Sequence, residues 1–131
     1  GSSNYFKGGV VTYSDETKMR FLDVKAETIE AHTVYSEEVA KEMVAGAIKT
    51  FDSTYAVAVS GVAGPTGGTP ETPVGTVWIA VGNAEEIVTK KRTEDEGRER
   101  NIQYATCEAV EMLLEFIRAH QPVAEEAEEV K

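Results

Sequence analysis

The chain has 131 residues, enough for a single domain with a core of its own. Its composition, 41% hydrophobic and 27% charged, is that of an ordinary globular protein, and it contains neither an apolar run of membrane-spanning length nor a leader pattern. The net charge of −10 argues against a duplex-DNA binder, and the single cysteine, Cys107, excludes an internal disulfide and fits a reducing, cytoplasmic setting.

After an irregular start, FKGGVVTY (6–13) reads as a strand with Val10 and Val11 at its apolar centre. Ser14 is placed as an N-cap, with Asp15 and Glu16 in the first turn of a short helix towards Leu22. KAETIEAH (25–32) predicts a second short helix. Ser36 caps a third, whose positive end again meets two acids, Glu37 and Glu38. In it Val39, Ala40, Met43, Val44, Ala47 and Ile48 recur at helical spacing as one buried face.

YAVAVS (55–60) reads as a fully buried strand, GTVWIAV (75–81) as another, and EEIVTKKR (85–92) as an edge strand whose lysines discourage stray pairing. Ile102, Ala105, Ala109, Met112, Leu113 and Phe116 define a long C-terminal helix from near Gly97, in which Cys107 and Met112 serve packing. The glutamate-rich end, 121–131, reads as a frayed, solvated tail beyond a domain spanning 1–120. The order of elements predicts an α/β fold, a three-layer α/β/α sandwich with a mixed sheet of four strands.

Between two of these strands lies GVAGPTGGTPETPVG (61–75), which holds five of the eleven glycines and three of the four prolines. A plain strand connection needs roughly two to five residues, so this longer segment is a shaped surface. Ser60 stands at the carboxyl end of the preceding strand, where open α/β sheets bind ligands. Gly61, Gly64, Gly67 and Gly68 let backbone amides approach a ligand, the prolines stiffen the path, and Thr66 and Thr69 add hydroxyls. Such a loop suits a phosphate, ribose or carboxamide. No Gly-Lys-Ser/Thr follows, so it is not a Walker A loop.

Tyr13, at the end of the first expected strand, and Lys18, one turn into the next helix, can face one cleft, where a desolvated lysine acts as a general base. Arg98 and Arg100 stand at the start of the last helix, an unfavourable place for a cation unless an anion comes close. His32 has no acidic or thiol partner at metal-ligand spacing, so no metal is expected.

Taken together, YFKGGVVTYSDETKMRFLDV, TIEAHTVYSEEVAKEMVAGA, AVAVSGVAGPTGGTPETPVGTVWIAV and EGR before a long helix closely resemble the C-terminal domain family of the bacterial competence/damage-inducible protein CinA. The resemblance runs from Gly1 to Ala119 and implies a nicotinamide-mononucleotide deamidase that forms nicotinate mononucleotide and ammonia without a cofactor. It also implies a serine nucleophile assisted by a lysine and a tyrosine, which Lys18 and Tyr13 match. The ligand-binding set expected here is Ser60, Gly64, Thr66, Gly67, Gly68, Thr69 and Arg98.

The family's serine lies in a Glu-Ser-Cys-Thr-Gly-Gly-type motif after its first strand, and that strand, motif and following helix are not among these residues. The chain is therefore expected to be a shortened form of a complete domain, with an inner sheet position filled by its own N-terminal segment or by a second copy in a homo-oligomer. The alternative is a catalytically inactive nucleotide-binding or oligomerisation module. The expected partner is a small nucleotide, with no nucleic acid and no membrane.

Overall fold

A computed structural model describes residues 1–121, so only Gln121 of the expected tail falls within it. After a 3-10 turn at Ser2–Asn4 the elements are α1 (Asp15–Leu22), α2 (Ala26–His32), α3 (Glu37–Phe51), β1 (Ala56–Gly61), β2 (Val77–Gly82), β3 (Ile87–Arg92) and α4 (Arg98–His120).

The helix starts follow the capping chemistry of the sequence. Ser14 Oγ accepts from the Thr17 amide at 3.2 Å while Thr17 Oγ1 accepts from the Ser14 amide at 3.1 Å, a reciprocal cap on α1. Ser36 Oγ accepts from the Val39 amide at 3.2 Å at the head of α3. The cap of α2 comes from elsewhere: Glu42, on α3, accepts from the Lys25 amide and from Thr28 Oγ1, at 2.8 and 2.6 Å. Its carboxylate thereby also meets the positive end of α2.

The three-layer α/β/α arrangement holds. The sheet runs β1-β2-β3 with both pairings antiparallel, so it has three strands rather than four, and no parallel pair among the described residues. The correction concerns 6–13, which forms no strand: Val11 and Tyr13 are each 90% exposed, and the segment runs along the edge of a cavity. Alternation of apolar residues prepares a strand, but a ladder partner makes one, and among the described residues β1 pairs only with β2. For the same reason β1 is not fully buried. Ala58 and Ser60 face inward, whereas Val57 and Val59 are about two-fifths exposed on the other face.

One side of the sheet packs Ala58 and Ala80 against Val39, Ala40, Met43 and Val44 of α3. The other packs Val77 and Ile79 against Ala105 and Ala109 of α4. Ile79 is wholly buried, and a side chain of that size contributes roughly 1.5–3 kcal/mol on leaving water. Two expected packing residues of α4 are exposed instead, Ile102 and Cys107, because the buried stripe of α4 runs through Asn101, Ala105, Ala109 and Phe116 and both lie off it.

Helix α1 presses on α3 at Gly46, where a Cβ would lie 1.8 Å from the Leu22 carbonyl oxygen. Gly46→Ala should therefore cost ~1–3 kcal/mol through overpacking, read as a lower urea midpoint at unchanged slope. A variant as stable as the native protein would show that α1 yields freely.

At the far end of α4, His120 stacks on Phe116 at 3.8 Å, with Nδ1 2.8 Å from the Phe116 carbonyl and Nε2 2.9 Å from the Glu86 carboxylate. The Glu86 contact first, and the carbonyl second, raise the His120 pKa above 6.5. A pKa raised on folding stabilises fully below the unfolded value and stops doing so as pH rises through the folded one. Glu86→Gln should therefore lower the melting temperature at about pH 5.5 and leave it nearly unchanged at about pH 9. Equal effects at both pH values would remove the ion pair from the account.

Candidate functional site

The outer edge of β1 borders a cavity of about 1220 Å³. Met43 and Ala47 of α3 line it on one side of the sheet, Leu113 and Ile117 of α4 on the other, and residues 5–13 along its rim. The void thus passes through all three layers, in the place where a further strand would lie.

Tyr13, Lys18, Ser60, Gly64, Thr66, Gly67 and Arg98 all line this cavity. Gly68 and Thr69 do not. Thr69 closes a turn within the loop instead, its amide donating to the Thr72 carbonyl at 2.9 Å and its hydroxyl accepting from the Thr72 amide at 3.0 Å.

Lys18 is 8% exposed although it is a lysine, and Nζ donates to the Thr12 carbonyl at 2.6 Å. Burial pushes its pKa below 10.5, against a smaller opposing pull from Asp15. The ammonium is thus easier to deprotonate than a surface lysine's. Tyr13 stands beside this floor, on the exposed lip of the cleft. Ser60 is 6% exposed and its hydroxyl donates to the Val34 carbonyl at 3.0 Å, which ties β1 to the segment before α3.

The glycine-rich loop is folded back on itself. The Val62 amide donates to the Thr76 carbonyl and the Gly75 amide to the Val62 carbonyl, both at 2.8 Å. Gly64 has φ +90, and a Cβ there would stand 2.5 Å from Val74 Cγ1, so no larger residue reproduces this turn.

Arg98, the first residue of α4, reaches across with Nη1 donating to the Gly64 carbonyl at 2.8 Å. It is not drawn off by nearby acids, since Glu94 and Glu96 pair with Arg92, and Glu96 also with Arg100. His32 lies outside the cleft, 3.7 Å from Glu38.

One residue of this corner escaped the sequence reading. Asn101 is 1% exposed and binds the same loop, with Nδ2 donating to the Ala63 carbonyl at 3.1 Å. A signal existed, because Asn101, Ala105 and Ala109 share one helical stripe and the asparagine is the polar member of a buried face.

Fold and cleft together define an α/β domain with a ligand-sized opening at the carboxyl end of a sheet strand, walled by a glycine-rich loop and a helix start. The sequence profile of the CinA C-terminal domain matches residues 1–117, and the chain belongs to that family. It is 43% identical over 114 residues to the nicotinamide-nucleotide amidohydrolase PncC of Escherichia coli, covering 86% of this chain and 69% of the relative. It is 44% identical over 118 residues to a CinA-like protein of Petrotoga mobilis, covering 90% of this chain but only 29% of that longer relative. Among solved structures, the competence damage-inducible protein A of Klebsiella pneumoniae superposes with a TM-score of 0.81 at 39% identity, over 87% of this chain and 70% of that one. A CinA superfamily protein of Escherichia coli gives 0.76 at 36% identity, over 79% and 60%. Among the described residues no helix is long and apolar enough to cross a membrane.

Proposed function

We propose that this chain forms the ligand-binding wall and the general base of a nicotinamide-nucleotide amidohydrolase, which converts nicotinamide mononucleotide and water to nicotinate mononucleotide and ammonia. The observation that carries the reading is the 43% identity to the Escherichia coli enzyme of that name, across 86% of this chain. The desolvated Lys18 and the Arg98 corner supply chemistry that suits it.

In this reading a serine hydroxyl attacks the carboxamide carbon. Neutral Lys18 takes the hydroxyl proton and hands it to the departing nitrogen as the C–N bond breaks, and water then releases nicotinate. Tyr13 assists from the lip of the cleft. Arg98 and the first amides of α4 meet the phosphate, while Gly64, Thr66 and Gly67 border the ribose.

The nucleophile comes from outside these residues. Among the described serines, Ser60, Ser53 and Ser36 donate to backbone carbonyls and Ser14 Oγ accepts from the Thr17 amide at its helix cap, whereas Lys18 bonds the Thr12 carbonyl. A segment that pairs with the free edge of β1 brings a serine to Lys18 and fills the cavity in one step. A second copy of these residues could fill the edge but would bring no such serine, so turnover requires a segment that carries one. That same hydrogen bond of Lys18 favours a second reading, a nucleotide-binding or oligomerisation module without turnover.

Ammonia release from nicotinamide mononucleotide separates the two readings, with and without the upstream segment. Lys18→Ala should lower kcat at least about a hundredfold, and Lys18→Arg should fare little better because guanidinium keeps its proton. The native rate should climb with pH with its midpoint below 10.5, since only the deprotonated amine serves as base. Near-native turnover of Lys18→Ala would remove it from the mechanism.

Arg98→Ala should weaken nicotinamide mononucleotide binding by about 1.5–3 kcal/mol, the scale of a charge-assisted hydrogen bond. Calorimetry measures it, and unchanged affinity would return Arg98 to a purely structural tie on Gly64.

A further inference from the structure

The amide of Asn101 has no freedom left. Oδ1 accepts from the Glu96 amide at 2.8 Å, while Nδ2 donates to the Ala63 carbonyl at 3.1 Å and to Asp95 Oδ1 at 3.0 Å. Rotating the amide by half a turn would set oxygen against oxygen at Ala63 and Asp95, so this orientation is the one that satisfies every partner. Asp95 in turn accepts from the Gly97 amide at 3.1 Å, which holds the bend before α4. Its carboxyl sits below the usual carboxylate range because of the Asn101 and Gly97 hydrogen bonds.

Two neighbouring carbonyls of the glycine-rich loop are thus held by two residues of one helical turn, Ala63 by Asn101 and Gly64 by Arg98. The two ties differ in kind. Arg98 is long and exposed, and any turn of its guanidinium towards an anion loosens its hold on Gly64. Asn101 is short and fully buried, and no ligand can reach it.

We infer that Asn101 is the positioning residue of the cleft's anion corner: it fixes the glycine-rich loop to the start of α4, so that Arg98 is free to engage a nucleotide phosphate without the loop drifting away. The inference rests on the nucleotide reading above and adds to it a division of labour between a buried clamp and an exposed ligand contact.

The test uses Asn101→Asp, which is nearly isosteric but sets a carboxylate against the Ala63 carbonyl and Asp95. A second variant, Asp95→Asn with Asn101→Asp, restores an amide–carboxylate pair between the two positions but not the bond to Ala63, nor the Gly97 bond, which uses the same Asp95 oxygen. Affinities for nicotinamide mononucleotide and for nicotinamide riboside, which lacks the phosphate, are measured by calorimetry. Exchange of the Val62 and Gly75 amides is followed by NMR.

In both variants mononucleotide affinity should fall at least about tenfold and riboside affinity change less than about twofold, with loop amides exchanging about tenfold faster. The double variant should regain part of the melting temperature without regaining affinity. In an Arg98→Ala background Asn101→Asp should cost little more, because the clamp acts through Arg98. Equal losses for both ligands, or recovery of affinity together with stability in the double variant, would overturn the inference and leave Asn101 a fold residue only. If the native protein binds neither ligand, the amidohydrolase reading fails on that result. The exchange rates then decide the clamp by themselves, faster loop exchange upholding it and unchanged rates removing it.

Discussion

A strand owes hydrogen bonds on both of its edges, and among the described residues β1 satisfies only one of them. Its inner edge is paired along its whole length with β2, from Ala56 against Gly82 to Gly61 against Val77. Its outer edge faces the cavity, and the side chains that an additional strand and its helix would cover, Val57 and Val59, are partly exposed. Unpaired backbone and exposed apolar surface both favour the arrival of a partner. The cleft is the consequence of that one open edge, because the same strand carries Ser60 and the glycine-rich loop at its carboxyl end.

The loop keeps its form without regular structure. Internal hydrogen bonds close it at both ends, and close approaches that only glycine permits set its path. What links it to the rest of the molecule is the start of α4, whose side chains take two of its carbonyls. The rim is therefore only as rigid as that attachment, and helix packing at Ala105 and Ala109 is what keeps the start of α4 in place.

The charges at the two ends of the cleft are of different kinds. Lys18 is buried and loses part of its hold on its proton, which suits proton transfer. Arg98 is exposed and carries a planar fork of donors, which suits holding an anion. A chain with a net charge of −10 can still present a local site for an anionic ligand, because contact distances of a few ångströms outweigh the screened field of distant carboxylates.

Local chemistry places most of the helices and strands. Ser14 and Ser36 mark their helices because a side-chain oxygen and the next amides are neighbours in sequence, and the stripe from Val39 to Val44 is buried as its period requires. Tyr13, Lys18, Ser60, Gly64, Thr66, Gly67 and Arg98, singled out by residue type and position, all line one cavity. What residue type does not reveal is which strand pairs with which. FKGGVVTY has the pattern of a strand and forms none, and YAVAVS has the pattern of an inner strand and lies at an edge, because pairing depends on a neighbour distant in sequence. The cap of α2 by Glu42, the carbonyl that receives Lys18 and the clamp of Asn101 on Ala63 are set by tertiary contact alone, since each joins groups whose proximity exists only once the layers have packed.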